Sequence, residues 1–178
     1  AAQSSPAATC TVVVPCRNER GNVEAIFERT PELGAGTELI FVDGNSTDGT
    51  VEEIERLLPT RPGTRLILQG DGTGKGDAVR KGFDAAKNDL LFILDADLTV
   101  PPEDLPKFYS AVVEGHAELA NGSRLVYPME GEAMRFLNHL GNQFFSKAFT
   151  HILGRQLNDT LCGTKVLTRT SYQKIVAG

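Results

Sequence analysis

Four short apolar runs, each halted by a polar or turn residue and separated by segments of helical spacing, limit the folds open to this 178-residue chain. Thr11 to Pro15 is β-branched and stops at a proline. Leu39 to Val42 ends in Asp43, Arg65 to Leu68 runs into a glycine cluster, and Leu90 to Leu94 ends in Asp95. Runs that are apolar at nearly every position suit strands covered on both faces. Between them Val51, Ile54, Leu57 and Leu58 fall at helical spacing, with Thr50 and Glu53 placed as a capping box. Ala78, Val79, Phe83 and Ala86 repeat that spacing after Gly76, and Pro101-Pro102 opens a further helix towards Val113. The alternation predicts an α/β fold with a mainly parallel central sheet flanked by helices. Lys165 to Thr168 reads as one more strand. Open sheets of this kind bind ligands beyond the carboxyl ends of their strands, which is where the polar residues of this chain gather.

The length suits one domain, read as residues 10–178 and open to truncation at its C-terminal end, behind a small, polar lead or linker over 1–9. A formal net charge of −5 provides no broad basic field, so nucleic acid is not an expected partner. An anionic substrate would have to be met by local cations or by a metal ion. Cys10, Cys16 and Cys162 are odd in number and widely spaced. With His116, His139 and His151 they form no zinc pattern, and a reduced, cytoplasmic compartment is expected. No apolar run reaches the about 18 residues a membrane span requires.

The strand ends carry the chemistry. Asp95-Ala96-Asp97 closes the most apolar run, and a turn there can bring two carboxylates near one ion; hard oxygen ligands suit Mg²⁺ or Mn²⁺. Asp43 to Thr50 has the composition of a turn and helix cap, yet a carboxylate at the ligand edge could also accept from a base or ribose. Gly70 to Gly76 looks like a phosphate loop but fails both strict tests. A P-loop needs Gly where Gln69 stands and Ser or Thr where Gly76 stands, and a dinucleotide fingerprint from Gly72 needs Gly where Asp77 stands. What remains is a loop carrying Lys75, with Arg80 a helical turn later. Pro15-Cys16-Arg17-Asn18-Glu19 follows the first strand, where Cys16 reads as packing because no histidine stands near to activate it. Asp159 to Lys165 is a last polar cluster. From Glu132 to Leu153 an apolar stripe through Leu137, Leu140 and Phe144, widened by Phe136, Phe145 and Phe149, reads as a core helix or as an amphipathic element at a membrane surface.

In this order, VVVPCRNE, FVDGNSTDGT, GTGKGDAVRKGF, LDADLTVPPEDL, NGSRL and DTLCGTK, spread over Thr11 to Lys165, resemble family 2 glycosyltransferases of the GT-A fold. The resemblance is to the group that transfers sugars to polyprenyl or dolichyl phosphates. It implies an inverting transfer from a nucleotide diphosphate donor of UDP-glucose or GDP-mannose type to a lipid-phosphate acceptor, with Mg²⁺ or Mn²⁺. It implies nucleoside contacts from Pro15, Arg17, Glu19 and Asp43, and metal and diphosphate contacts from the Asp95-Ala96-Asp97 segment through Asp95 and Asp97. Lys75 and Arg80 would lie near the donor, Arg124 near phosphate at the reaction centre, and Asp159 would face the acceptor. It also implies peripheral contact with the cytoplasmic face of a membrane. Two rivals are a sugar-nucleotide-forming nucleotidyltransferase and a non-catalytic nucleotide-sugar binding module. The first would open with a glycine-rich loop where Pro15 to Glu19 stands; the intact aspartates argue against the second.

Overall fold

A computed structural model gives the fold and describes residues 7–114, 119–121 and 164–177. Its elements are β1 (Cys10–Cys16), α1 (Arg20–Arg29), β2 (Thr37–Asp43), α2 (Thr50–Leu57), β3 (Thr64–Leu68), α3 (Gly74–Ala85) and β4 (Leu90–Ile93). There follow α4 (Leu105–Val113), β5 (Leu119–Asn121), β6 (Lys165–Thr168) and α5 (Arg169–Ala177). One sheet holds the six strands of the described residues in the order β3-β2-β1-β4-β6-β5. Strands β1 to β4 are parallel, while β6 pairs antiparallel with both β4 and β5. The chain thus winds outward from β1 through β2 to β3, then crosses back to put β4 on the other side of β1. That reversal opens a crevice beyond the carboxyl ends of the strands.

Successive strand residues point to opposite faces, so a strand apolar throughout feeds two cores. On one face Val12, Val14, Leu39, Phe41 and Phe92 pack with Val23, Ile26 and Phe27 of α1, Ile54 and Leu57 of α2, and Leu105 and Val112 of α4. Phe27 stacks on Phe41 with ring centroids 5.1 Å apart. On the other face Val13, Ile40, Val42 and Leu91 meet Ala78 and Phe83 of α3. Tyr172 of α5 meets Phe83 edge-on and donates to Asp84 Oδ1 at 2.7 Å, fixing the last helix beside α3. Helix α3 lies so close to β1 that a Cβ on Gly82 would sit 2.4 Å from Val13 Cγ1.

The parallel strands agree with the expected sheet, and four details differ. Strand β5 is too short to show a period in sequence. The strand at Lys165 runs against its neighbour β4. Helix α3 begins at Gly74, two residues before the expected start, so Lys75 sits on its first turn and not in a loop. The capping box does not form: Gly49 is the N-cap, the Thr50 hydroxyl donates to Asp48 Oδ1, and Glu53 pairs with Arg56 at 2.7 Å. No helix among the described residues is long and apolar enough to cross a membrane. The stripe from Glu132 to Leu153 lies outside the described residues.

Candidate functional site

Three strand ends and two loops converge on the crevice. At the end of β2, Asp43 is 2% exposed; its Oδ2 accepts from the Ser46 amide at 3.0 Å, while its Oδ1 is buried without a partner. The loop that follows is laced to the loop after β1. Asn18 N donates to Ser46 Oγ at 2.8 Å, Thr47 N to Asn18 Oδ1 at 2.8 Å, and Glu19 N to Thr50 Oγ1 at 2.9 Å. Asp48 caps the pair of loops, accepting from Thr50 N at 3.0 Å and Arg20 N at 3.2 Å. Hydrogen bonds, the Thr50 hydroxyl foremost, hold its carboxyl below the usual carboxylate range. Asn18, Ser46, Thr47 and Asp48 thus build the loops.

Beyond β3 comes Gln69, 4% exposed, whose amide N–H donates to Asp43 O at 2.8 Å. Its side-chain Nε2 donates to Gly74 O at 2.9 Å and Asp77 Oδ2 at 2.8 Å, and its backbone carbonyl accepts from Lys81 Nζ. These contacts fix the first turn of α3. Gly72 is required there, since a Cβ would lie 1.9 Å from Asp77 Oδ2. Asp77 is held below its ordinary range by Gln69 first and by Lys81.

Beyond β4, Asp95 is 7% exposed and pairs with Lys75 Nζ from the first turn of α3. The backbone then turns, with Leu98 N donating to Asp95 O at 3.1 Å. Leu98 adopts φ +53, a left-handed conformation costly for a branched residue. Ala96 is buried in the first core, so it can meet a ligand only through its backbone. Asp97 is exposed, with Oδ1 accepting from Thr99 N at 3.0 Å.

Between these ends lies a cleft of about 430 Å³ lined by Pro15, Arg17, Glu19, Gly44, Gln69 and Lys75, with Cys16 in its wall. Burial, then Asp43, Glu19 and Asp48, push the Cys16 thiol up to about 12, leaving it protonated and unreactive. Arg80 is exposed and lines a separate apolar depression with Phe83, Lys165 and Tyr172. Arg124 and Asp159 lie outside the described residues. Sequence reasoning passed over Gln69, treating it only as a failed P-loop position. Its signal was a polar residue directly after an apolar strand.

The family model for Glycosyl transferase family 2 matches residues 11–176. The chain belongs to this family. It is 40% identical over 107 residues to the dolichol-phosphate mannosyltransferase of Saccharomyces cerevisiae, covering 57% of this chain and 40% of that protein. It is 32% identical over 169 residues to the glycosyltransferase AglJ of Haloferax volcanii, covering 94% of this chain and 52% of that protein. The chain thus spans about half or less of the length of these relatives. Among solved structures, the glucosyl-3-phosphoglycerate synthase of Mycobacterium tuberculosis, in complex with Mn²⁺, UDP-glucose and phosphoglyceric acid, superposes with a TM-score of 0.72 at 24% identity. That match covers 92% of this chain and 57% of the other. The fold is GT-A.

Proposed function

We propose that the chain is the donor-binding part of a metal-dependent inverting glycosyltransferase. It moves a sugar from a nucleotide diphosphate of UDP-glucose or GDP-mannose type to a polyprenyl phosphate. One observation carries the donor reading: an unpartnered buried carboxylate oxygen on Asp43 stands at the same sheet edge as the Lys75–Asp95 pair, with the cleft between the strand ends. The relatives named for dolichol-phosphate mannosyl transfer support the lipid-phosphate acceptor.

The donor set fits a hard divalent ion. Asp97 is exposed and commits one oxygen to Thr99, and Asp95 presents a second carboxylate two residues away, already facing a cation. Mg²⁺ or Mn²⁺ held by Asp95 and Asp97 would supply Lewis-acid neutralisation of the departing diphosphate. Pro15, Arg17 and Glu19 wall the nucleoside end, Asp43 accepts from it, and Lys75 neutralises phosphate oxygens. In the transfer, an acceptor phosphate oxygen forms a bond to the anomeric carbon from the face opposite the leaving diphosphate, whose C–O bond breaks, inverting that carbon. A phosphate monoester has a second pKa of about 6 and offers an ionised oxygen near neutral pH. Arg124 is assigned to that phosphate. Asp159 is assigned to orienting the acceptor, since no proton has to be removed from it.

Thermal stabilisation by a panel of nucleotide sugars with Mn²⁺, followed by sugar transfer to a polyprenyl phosphate, tests this reading. Stabilisation by a nucleotide sugar in wild type, lost in Asp97→Asn, is expected. No stabilisation by any nucleotide sugar would sink the donor assignment.

A further inference from the structure

Lys75 has two roles at the sheet edge that it cannot fill at once, one towards Asp95 and one towards the phosphates of the donor. Its ammonium sits on Asp95 Oδ1, and the same residue lines the cleft beside Gly72, Thr73 and Gly74. The backbone beyond β4 explains the contact. Leu94 N still donates to Val13 O at 3.0 Å, so the chain stays extended past the end of the strand. Leu94 and Ala96 both pack into the first core, which sends the carboxylate between them to the opposite face, where α3 lies. There the Asp95 side chain is 9% exposed and that of Lys75 is 50% exposed. The carboxylate is sheltered, and its cationic partner reaches it on a long, half-solvated stem. Arg17, also exposed, lines the same cleft.

We propose that Lys75 is an exchangeable counterion. In the nucleotide-free protein it fills the cation position at Asp95, and the diphosphate of the donor draws it off, so that a divalent ion binds Asp95 well only together with the nucleotide. An ammonium seated on a carboxylate oxygen repels a second cation from that oxygen, and poor solvation there strengthens the repulsion. A bare metal ion therefore has to displace Lys75 into water. With a diphosphate in the cleft the ammonium exchanges one anion for another, and the ion takes the carboxylate it leaves. Asp95 is never left sheltered without a cation, the state that is costly for a buried carboxylate. Coupling of this kind is reciprocal: the nucleotide tightens metal binding by the factor that the metal tightens nucleotide binding.

The inference rests on the nucleotide-diphosphate donor and the metal position proposed above, and Mn²⁺ binding to the whole chain separates them. The free-ion EPR signal reads that binding with and without saturating GDP or UDP, whichever wild type binds by calorimetry, after correction for ion held by nucleotide in solution. Without nucleotide, Lys75→Met should bind Mn²⁺ about tenfold more tightly than wild type, because the competing ammonium is gone. With nucleotide, where Lys75 of wild type has already left Asp95, that gain should shrink to within about twofold. Lys75→Gln, neutral and polar, carries the same expectation should the methionine variant fail to fold. A residue that merely supports the turn would, when replaced, weaken Mn²⁺ binding or leave it unmoved in both states. That result would overturn the inference. So would an equal gain in both states, which would mean that Lys75 stays on Asp95 when the nucleotide binds. Either outcome leaves the donor reading standing. If neither GDP nor UDP binds wild type, the donor reading and this inference fall together.

Discussion

Lys75→Met is the substitution that most directly probes the pairing at the sheet edge. It keeps most of the length of the side chain and removes the ammonium group with its charge. The Asp95 side chain is 9% exposed, whereas Lys75 is half exposed, so the pair lies between two regimes. Exposed pairs contribute about 0–1 kcal/mol, and stripping the partner from a buried charge costs about 3–5 kcal/mol. Water around Lys75 screens the attraction, which places the expected loss at about 1–2 kcal/mol. For a chain of this length that lowers the melting temperature by about 2–8 °C. The second half of the experiment adds Mn²⁺ without nucleotide. Once the ammonium no longer occupies the Asp95 carboxylate, the cation meets less competition, and Mn²⁺ should raise the melting temperature of Lys75→Met by more than that of wild type. A variant that melts with wild type and shows the same Mn²⁺ shift would refute both the pairing and the placement of the metal at Asp95.

Gly82→Ala should lower the denaturant midpoint: packing a methyl against Val13 costs about 1–3 kcal/mol, more than the gain of about 1 kcal/mol in helix propensity. Asp48 has its carboxyl lowered by hydrogen bonds, so its stabilisation is present above the unfolded value of about 3.9 and is lost as pH falls through the lower folded value. Urea unfolding of Asp48→Asn should therefore lose less stability than wild type as the solution is acidified below about pH 4. Cys10 and Cys16 both have thiols pushed up to about 12, chiefly by burial, and an alkylating reagent near neutral pH should label neither until the chain is unfolded. Mass spectrometry of native and denatured samples reads this directly.

The parallel sheet was legible because its strands are covered on both faces, a pattern that hydropathy records. The direction of β6 was not, because hydropathy is the same whichever way a strand runs. Nor was β5, whose three residues carry no period. The start of α3 was hidden by Gly74 and Gly76, which have poor helix propensity; Gln69 Nε2 on Gly74 O and Asp77 supplies what the local sequence lacks. The expected capping box failed because the Thr50 hydroxyl accepts from Glu19 N and donates to Asp48, a tertiary choice that spacing cannot reveal. The aspartates of Asp95-Ala96-Asp97 were legible as a pair, but their unequal burial depends on the Leu98 turn and the approach of Lys75. Arg80 falls outside the cleft because it stands five residues after Lys75, well round the helix from it.

Some buried polar residues away from the crevice are satisfied by the fold in ordinary ways. Thr11 donates to Glu38 at 2.9 Å and Thr30 to Ile26 O at 2.6 Å, each closing an account within its own element or with its neighbour. Four buried side-chain atoms among the described residues have no partner: the Thr64 and Thr164 hydroxyls, Arg65 Nε and Asp43 Oδ1. Arg65 nonetheless has its charge met by Glu38 at 2.6 Å, and a hydroxyl is neutral. Asp43 alone of these is a carboxylate, and it alone stands at the carboxyl end of a strand. Leaving such an oxygen dry costs about 1–3 kcal/mol or more, a penalty the fold could have avoided with serine or asparagine in the same turn. An unsatisfied carboxylate oxygen on the edge where open α/β sheets take their ligands supports the nucleoside-binding role proposed for Asp43.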